Sequence, residues 1–365
     1  MQRRSFLKTA SLGAAGAVAA PFVNTRTANA QDTITWNMVT SWPKNFPALG
    51  TGASQLAERI EAMSGGRLKI KVHGAGEMVP AMEVFDAVSQ GTAEMGHSAS
   101  YYWRGKVAAS QFFTAVPFGM TTTETNAWLY NGGGMELWDE LYAKHNLKPF
   151  AVGNTGAQAA GWFKKEIKSL QDMQGLKLRL PGLAGEAMNE IGVTTMTTPG
   201  SEIFTSLETG VLDAADWVGP YNDLAFGLHQ VAKYYYTLAW NEPSAILEGT
   251  VNLDAWNALP DDLKAVVSEA TKAANLSMIS EFAMRNAEAL KTLVDEHGVE
   301  VRAFPDDVME ALYAASRKVI QAQVDNDPDS AKVYESYKNF QAKLRPFTDV
   351  SEFAYLKARD KVVTD

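Results

Sequence analysis

Apolar residues in this chain follow two alternating rhythms, one of period two and one near 3.6. Residues 33–39 read as an extended run, and residues 48–63 place Leu49, Ala53, Leu56 and Ile60 on one helical face. Residues 68–72 alternate as a strand before the turn Gly74-Ala75-Gly76, residues 79–89 read as a helix, and residues 94–97 as a short buried strand. That βαβαβ order predicts a parallel sheet with helices on both faces. Ligands of such sheets lie beyond the carboxyl ends of the strands.

An aromatic, glycine-bearing stretch (101–123) separates this unit from a helix predicted over 125–144. A second strand-rich unit begins at 149–153 and runs through Asn154 to Gln158. It continues with a strand at 177–180, a helix at 182–191, a strand at 194–196, a helix at 200–208 and a strand at 214–218. Extended residues return at 245–251, after which the pattern is almost wholly helical: 254–294, with Pro260-Asp261-Asp262-Leu263 as a start signal, then 306–325 and 329–344. A chain of 365 residues, 46% hydrophobic, suggests two lobes. The pattern reads as a two-lobed α/β protein.

The first 30 residues stand apart. Arg3-Arg4-Ser5-Phe6-Leu7-Lys8 is a twin-arginine pattern, followed by an Ala- and Gly-rich apolar run and by Ala28-Asn29-Ala30, a small-x-small cleavage signal. Gly13, Gly16 and Pro21 argue against an ordinary first helix, and the run is too short and interrupted for a membrane span, which needs ~20 apolar residues. The expectation is a twin-arginine signal peptide over 1–30 and a periplasmic mature protein. Its removal takes four cations and no carboxylate, moving the formal charge from −9 to about −13. No basic surface is visible for nucleic acid. The absence of cysteine excludes disulfides, thiolate metal sites and cysteine nucleophiles.

Two later segments carry the chemistry. Gly175, Lys177, Arg179 and Pro181 place one guanidinium at the end of an apolar strand that a proline stops, and Glu208 to Trp217 reads as a helix end followed by a short strand delivering Asp216 and Trp217 together. Arginine offers a planar fork that matches a carboxylate and stays charged when desolvated; lysine would act as a point charge. These segments resemble the solute-binding proteins of TRAP transporters (tripartite ATP-independent periplasmic transporters, DctP type), and the resemblance spans nearly the whole mature chain. It implies an α/β two-lobed periplasmic binding protein fold, class II-like, with a long bridging helix and a helical C-terminus. The implied lobes are 31–154 plus 245–280, and 155–244 plus 281–365 with the C-terminal helices. It further implies that Arg179 grips an organic acid delivered to membrane permease subunits, and that the protein is a carrier and not an enzyme. Some members of the subgroup pair through a C-terminal helix, so a homodimer is an expectation.

In the subgroup that binds 2-oxo and 2-hydroxy monocarboxylates, the resemblance also implies a metal ion. A separate charge argument points the same way. An anionic ligand and Arg179 nearly cancel, so Asp216 in a closed cleft leaves an unbalanced negative charge, which costs several kcal/mol to bury. A cation bridging Asp216 and the ligand removes that cost. Gln158 through its amide oxygen, Trp217 through its carbonyl and Glu242 complete a set of hard oxygen donors suited to Na⁺ or Ca²⁺. The resembled subgroup would place an amide at 242, and two carboxylates favour a divalent ion. The alternative for Asp216 is a helix or turn cap. Trp42, in a loop with Phe46, and the run Tyr101, Tyr102 and Trp103 stand just past strands where this fold places ligand contacts, with Tyr101 preferred as the donor, and Asn154 is close enough to Gln158 to join it. Competing readings are a C4-dicarboxylate receptor without metal and a periplasmic enzyme acting on an organic acid. Against the enzyme, the five histidines show no ligand spacing, and the nucleophile elbow, phosphate loop and dinucleotide fingerprint are absent.

Overall fold

A computed structural model describes residues 33–363, so the expected signal peptide lies outside the described residues. The chain begins with β1 (Ile34–Thr40), α1 (Leu49–Met63), β2 (Leu68–His73), α2 (Val84–Ser89) and β3 (Met95–Ser98). Short α3 (Gln111–Thr114) precedes α4 (Thr122–Asn131) and α5 (Gly134–Ala143), and β4 (Leu147–Asn154) closes this part. The single helix expected over 125–144 is therefore two. A capping box between Thr121 and Glu124 starts α4 early, and Gly133 at φ 86 takes a backbone that a helix interior does not allow.

The second part runs β5 (Gly161–Phe163), β6 (Lys177–Arg179), α6 (Gly182–Glu190), β7 (Thr194–Met196), α7 (Ile203–Glu208), β8 (Ala214–Ala215), α8 (Pro220–Ala225) and β9 (Tyr234–Tyr236). Then come β10 (Ile246–Asn252), α9 (Leu253–Ala258), α10 (Asp261–Asp295), β11 (Glu300–Arg302), α11 (Asp306–Asn326), α12 (Pro328–Val350) and α13 (Glu352–Val362). The long helix expected from 254 breaks at Leu259, extended ahead of Pro260, because a proline ring disfavours helical backbone in the residue before it.

Two sheets result. The first has the order β2-β1-β3-β10-β4, with β1 parallel to β2 and β3, and β10 antiparallel to β3 and β4. The second has the order β11-β9-β5-β8-β6-β7, also mixed in direction. The expected parallel arrangement thus holds for the βαβ portions only. Strand β10 departs from it because it arrives from the second sheet and inserts between β3 and β4.

The two connections between the sheets run side by side. Thr155 N donates to Ala245 O and Gln158 N to Glu242 O, both at 3.0 Å, and Ala160 N donates to Tyr236 O at 2.8 Å. Helix α10 bridges the same gap. Its 35 residues span about 52 Å at 1.5 Å each. Met278 packs so closely on Gly153 that a Cβ at that glycine would lie 2.3 Å from the methionine sulfur, while Asn286 further along accepts from Tyr221 N of α8. Helix α11 packs on α6, whereas α12 returns to α4 and α5 beside the first sheet. No helix of the described residues is long and apolar enough to cross a membrane.

Gly161 fixes where the second sheet meets the connections. It sits at φ 119, and an added Cβ would lie 2.9 Å from Ala215 O on the neighbouring strand. We expect Gly161→Ala to lower stability by about 2 kcal/mol, in the range of strained backbone sites, read as a reduced urea midpoint. An unchanged midpoint would mean that β5 and β8 tolerate a side chain at their contact.

Candidate functional site

Strand β6 ends at Arg179, and its neighbour β8 ends one residue before Asp216. The parallel register brings the two together, with Asp216 N donating to Arg179 O at 2.9 Å. The Arg179 side chain is 0% exposed. Its Nη1 donates to Asp216 O at 2.8 Å and reaches Asp216 Oδ2 at 3.5 Å; its Nη2 donates to Tyr102 Oη at 3.2 Å and its Nε to Thr198 O at 3.4 Å. The guanidinium carbon lies 5.2 Å from the Trp217 ring centroid. These bonds use four of the five guanidinium protons, leaving one on Nη2 beside the tyrosine. The contact with Asp216 is long and single, unlike a bidentate pair.

Asp216 is not a cap. Its Oδ1 accepts from Asn241 Nδ2 at 3.2 Å, and Oδ2 faces Arg179. Asn241 and Glu242 lie on the return connection, against which Gln158 of the outgoing connection pairs by backbone. All four of Gln158, Asp216, Asn241 and Glu242 are buried. Gln158 donates through Nε2 to Thr155 Oγ1 at 3.0 Å, which leaves its Oε1 buried without a partner. Glu242 Oε2 is in the same state. Buried polar atoms are almost always satisfied, so orphaned oxygens of this kind ask for a donor or a cation. No group of three or more His, Asp or Glu side chains is placed to hold a metal ion by itself among the described residues. The donors available are two carboxylates plus amide and main-chain oxygens, a hard all-oxygen set that fits Na⁺ or Ca²⁺.

Aromatic rings close the surroundings. Trp42 donates through Nε1 to His97 Nδ1 at 2.8 Å and meets Trp217 at 6.2 Å between ring centroids. Tyr101 is buried against Tyr102 at 4.8 Å, and its phenol feels the charges of Glu242, Arg179 and Asp216. Asn154 differs from the rest, because both ends of its amide are committed: Oδ1 accepts from Gly156 N at 2.8 Å and Nδ2 donates to Ser244 Oγ at 3.0 Å. It ties the two connections together. Tyr102, from the same turn as Tyr101, is the phenol that reaches Arg179, and the turn Ser100–Trp103 decides this. One contributor was absent from the candidates drawn from sequence: Asn241 precedes Glu242 and bonds Asp216; its position next to a candidate ligand was the available signal. Trp103, from the same aromatic run, is a core residue that donates to Glu248.

Residues 38–327 match the family described as bacterial extracellular solute-binding protein, family 7. The chain belongs to this family. It is 41% identical over 360 residues to a monocarboxylate 2-oxoacid-binding periplasmic protein of Nostoc sp., covering 97% of this chain and 98% of that one. A TRAP periplasmic solute-binding protein from Pseudoalteromonas atlantica, solved with bound sodium and pyruvate, superposes with a TM-score of 0.87 at 41% identity, over 89% of this chain and 99% of that one. A TRAP solute-binding protein from Bordetella bronchiseptica, a dimer with calcium and picolinate in one site, gives a TM-score of 0.88 at 36% identity, over 90% and 98%. This family 7 protein therefore has the TRAP solute-receptor fold, and its family's work is transport.

Within this family 7 member the two acids are out of water. Burial pushes the Asp216 carboxyl up to about 7, against the pull of Arg179, and nearby Asp223 adds to the rise. Burial likewise holds Glu242 well above the usual carboxylate range, with Asp216 as a like charge beside it. An unfolded carboxyl titrates near ~4. A carboxyl whose pKa is raised by folding stabilises the fold below the unfolded value and loses that contribution as pH rises through the folded one. With a chelator present, the melting temperature should therefore fall between pH 5.5 and pH 8, and the double variant Asp216→Asn, Glu242→Gln should flatten the slope. The same slope in the variant would remove these two acids as its source.

Proposed function

We propose that this chain is the extracytoplasmic receptor of a TRAP transporter, taking a 2-oxo or 2-hydroxy monocarboxylate together with Na⁺ or Ca²⁺ between two lobes and passing the acid to the membrane permease. One observation carries the reading: a fully buried arginine stands beside two buried acids, with a glutamate and a glutamine oxygen left unpartnered. Arg179 supplies the anchor for the carboxylate, through its remaining Nη2 proton and through Nη1, whose bond to Asp216 Oδ2 is weak enough to yield. Tyr101 and Tyr102 supply phenolic donors to the second oxygen. Asp216, Glu242, the Gln158 amide oxygen and the Trp217 carbonyl would hold the ion. When bound, the ion neutralises the acids and chelates the adjacent oxygens of a 2-oxo acid. The sodium-and-pyruvate and calcium-and-picolinate relatives support this ligand class, since both acids offer a second donor atom next to the carboxylate.

A monocarboxylate is favoured over a C4-dicarboxylate. Arg179 is the only lysine or arginine among the described residues that is buried, so the far carboxylate of a longer acid has no second buried cation. The lobes proposed are those of the two sheets, 33–154 with 245–280 and 155–244 with the residues beyond 281, where α12 lies back against the first. Closure is favoured by contacts that exist only when the lobes meet around the ligand. Export by the twin-arginine segment, and pairing through the C-terminal helices, complete the proposal. In α13 no residue is buried, and Phe353, Tyr355 and Leu356 are exposed, as are Phe347 and Val350 before it. Removing residues 351–365 should turn a dimer into a monomer by sedimentation, whereas an unchanged mass would place any pairing elsewhere.

Calorimetry tests the ligand reading. Pyruvate should bind the wild type in calcium or sodium and fail in a sodium-free buffer with chelator, with affinity falling as pH drops below 7 because protons compete for Asp216 and Glu242. Arg179→Ala should cost about 3 kcal/mol or more, over a hundredfold in Kd. Tight binding of succinate, or pyruvate binding undiminished when both sodium and calcium are removed, would favour the dicarboxylate reading.

A further inference from the structure

The segment between β1 and α1 belongs to the first lobe by its backbone. Ser41 N donates to His97 O, and Gly50 N turns back onto Phe46 O at 2.9 Å. Two residues with side chains hold a positive φ in it, Asn45 at φ 60 and Ala48 at φ 57. Such positions are unfavourable for alanine and persist where surrounding structure imposes them, often next to functional parts. Gly50 allows the turn to close, since a Cβ there would lie 2.4 Å from Pro43 O.

This constrained turn aims one ring and one carbonyl at the other lobe. The Phe46 ring stacks on Phe226 with centroids 4.2 Å apart and meets Trp217 edge-on at 6.2 Å. Trp217 and Phe226 lie 5.2 Å from each other, so together they form the slot that Phe46 fills. The adjoining Pro47 O accepts from Asn222 Nδ2 of α8 at 3.0 Å, and Asn222 is buried. Trp217 links this slot to the site, because its ring covers Arg179 and it follows Asp216 directly.

We propose that Phe46 and Pro47 form an interlobe latch: Phe46 is a positioning residue that seats the Asp216-Trp217 turn against the first lobe, and its contacts are made when the lobes close. The inference rests on the two-lobed receptor reading above. The latch acts on the ligand without touching it. By stabilising the closed form it slows release of the acid, since a ligand held in a closed cleft leaves only after opening.

Lobe closure can be read directly, because the chain contains no cysteine and accepts a pair of spin labels without background. Glu58 on α1 and Lys165 after β5 are exposed and serve as label positions in the two lobes once changed to cysteine. With pyruvate and calcium, the wild type should show one short label distance. Phe46→Ala should retain a longer one at the same pyruvate concentration, and its Kd should rise by about tenfold to a hundredfold, mostly through faster release. Asn222→Ala, which removes the Pro47 bond and spares the rings, should move both readings the same way by a smaller amount. Thermal unfolding separates a latch from a permanent core contact: the variant should lose more Tm with ligand than without. Label distances identical to wild type, or equal Tm losses in the two states, would overturn the latch. Failure of the receptor reading shows itself separately, as absent pyruvate binding by the wild type. The latch, which acts only on a closed cleft, is then overturned together with that reading.

Discussion

A guanidinium cut off from water must be balanced by acceptors, and at Arg179 the balance overshoots. One cation faces Asp216 and Glu242, both buried, and the acid of the proposed reading would add a third negative charge. Ionising all of these groups in a low-dielectric interior is prohibitive without a further cation, because each unpaired buried charge costs several kcal/mol. Burial disfavours the charged form of both carboxyls and moves both upward from the usual carboxylate range. In the proposed reading a metal ion supplies that further cation when the acid arrives, so that cation and anion would depend on each other.

The architecture exists to bring these groups to one place. Arg179 and Asp216 come from adjacent parallel strands of the second sheet, while Gln158 and Glu242 come from the two connections between sheets. The connections are paired by backbone hydrogen bonds and tied by Asn154. Tyr101, Tyr102 and Trp42 arrive from the first sheet, on loops beyond its strand ends. A change in the angle between the sheets therefore alters Arg179's phenolic contact while leaving the Arg179 to Asp216 register intact.

The sequence showed most clearly what is local. A strand ending at Arg179 before Pro181, the run that delivers Asp216 and Trp217, and the helices with clear apolar faces were readable from spacing, and the TRAP resemblance stood on those same segments. The mixed direction of the first sheet was not readable, because it depends on β10 pairing with β4, about 100 residues away, and with β3, about 150 residues away. Strands β5, β9 and β11 have three residues each, too few to display a period of two. Helix limits were misread where glycine or proline outweighed the apolar rhythm, at Gly132-Gly133 and at Pro260. In the site, the acid and amide side chains were nameable by type. The choice between Tyr101 and Tyr102, and the commitment of Asn154 to the connections, follow from turn geometry that residue types do not disclose.

The most direct measurement is a crystal structure of the protein grown with pyruvate and calcium, using anomalous scattering to locate the ion. The account predicts the pyruvate carboxylate on the Arg179 guanidinium, and one calcium bound by Asp216, Glu242, the Gln158 amide oxygen and the Trp217 carbonyl, touching two pyruvate oxygens. Pyruvate seated away from Arg179, or bound there with Asp216 and Glu242 contacting no ion, would contradict it.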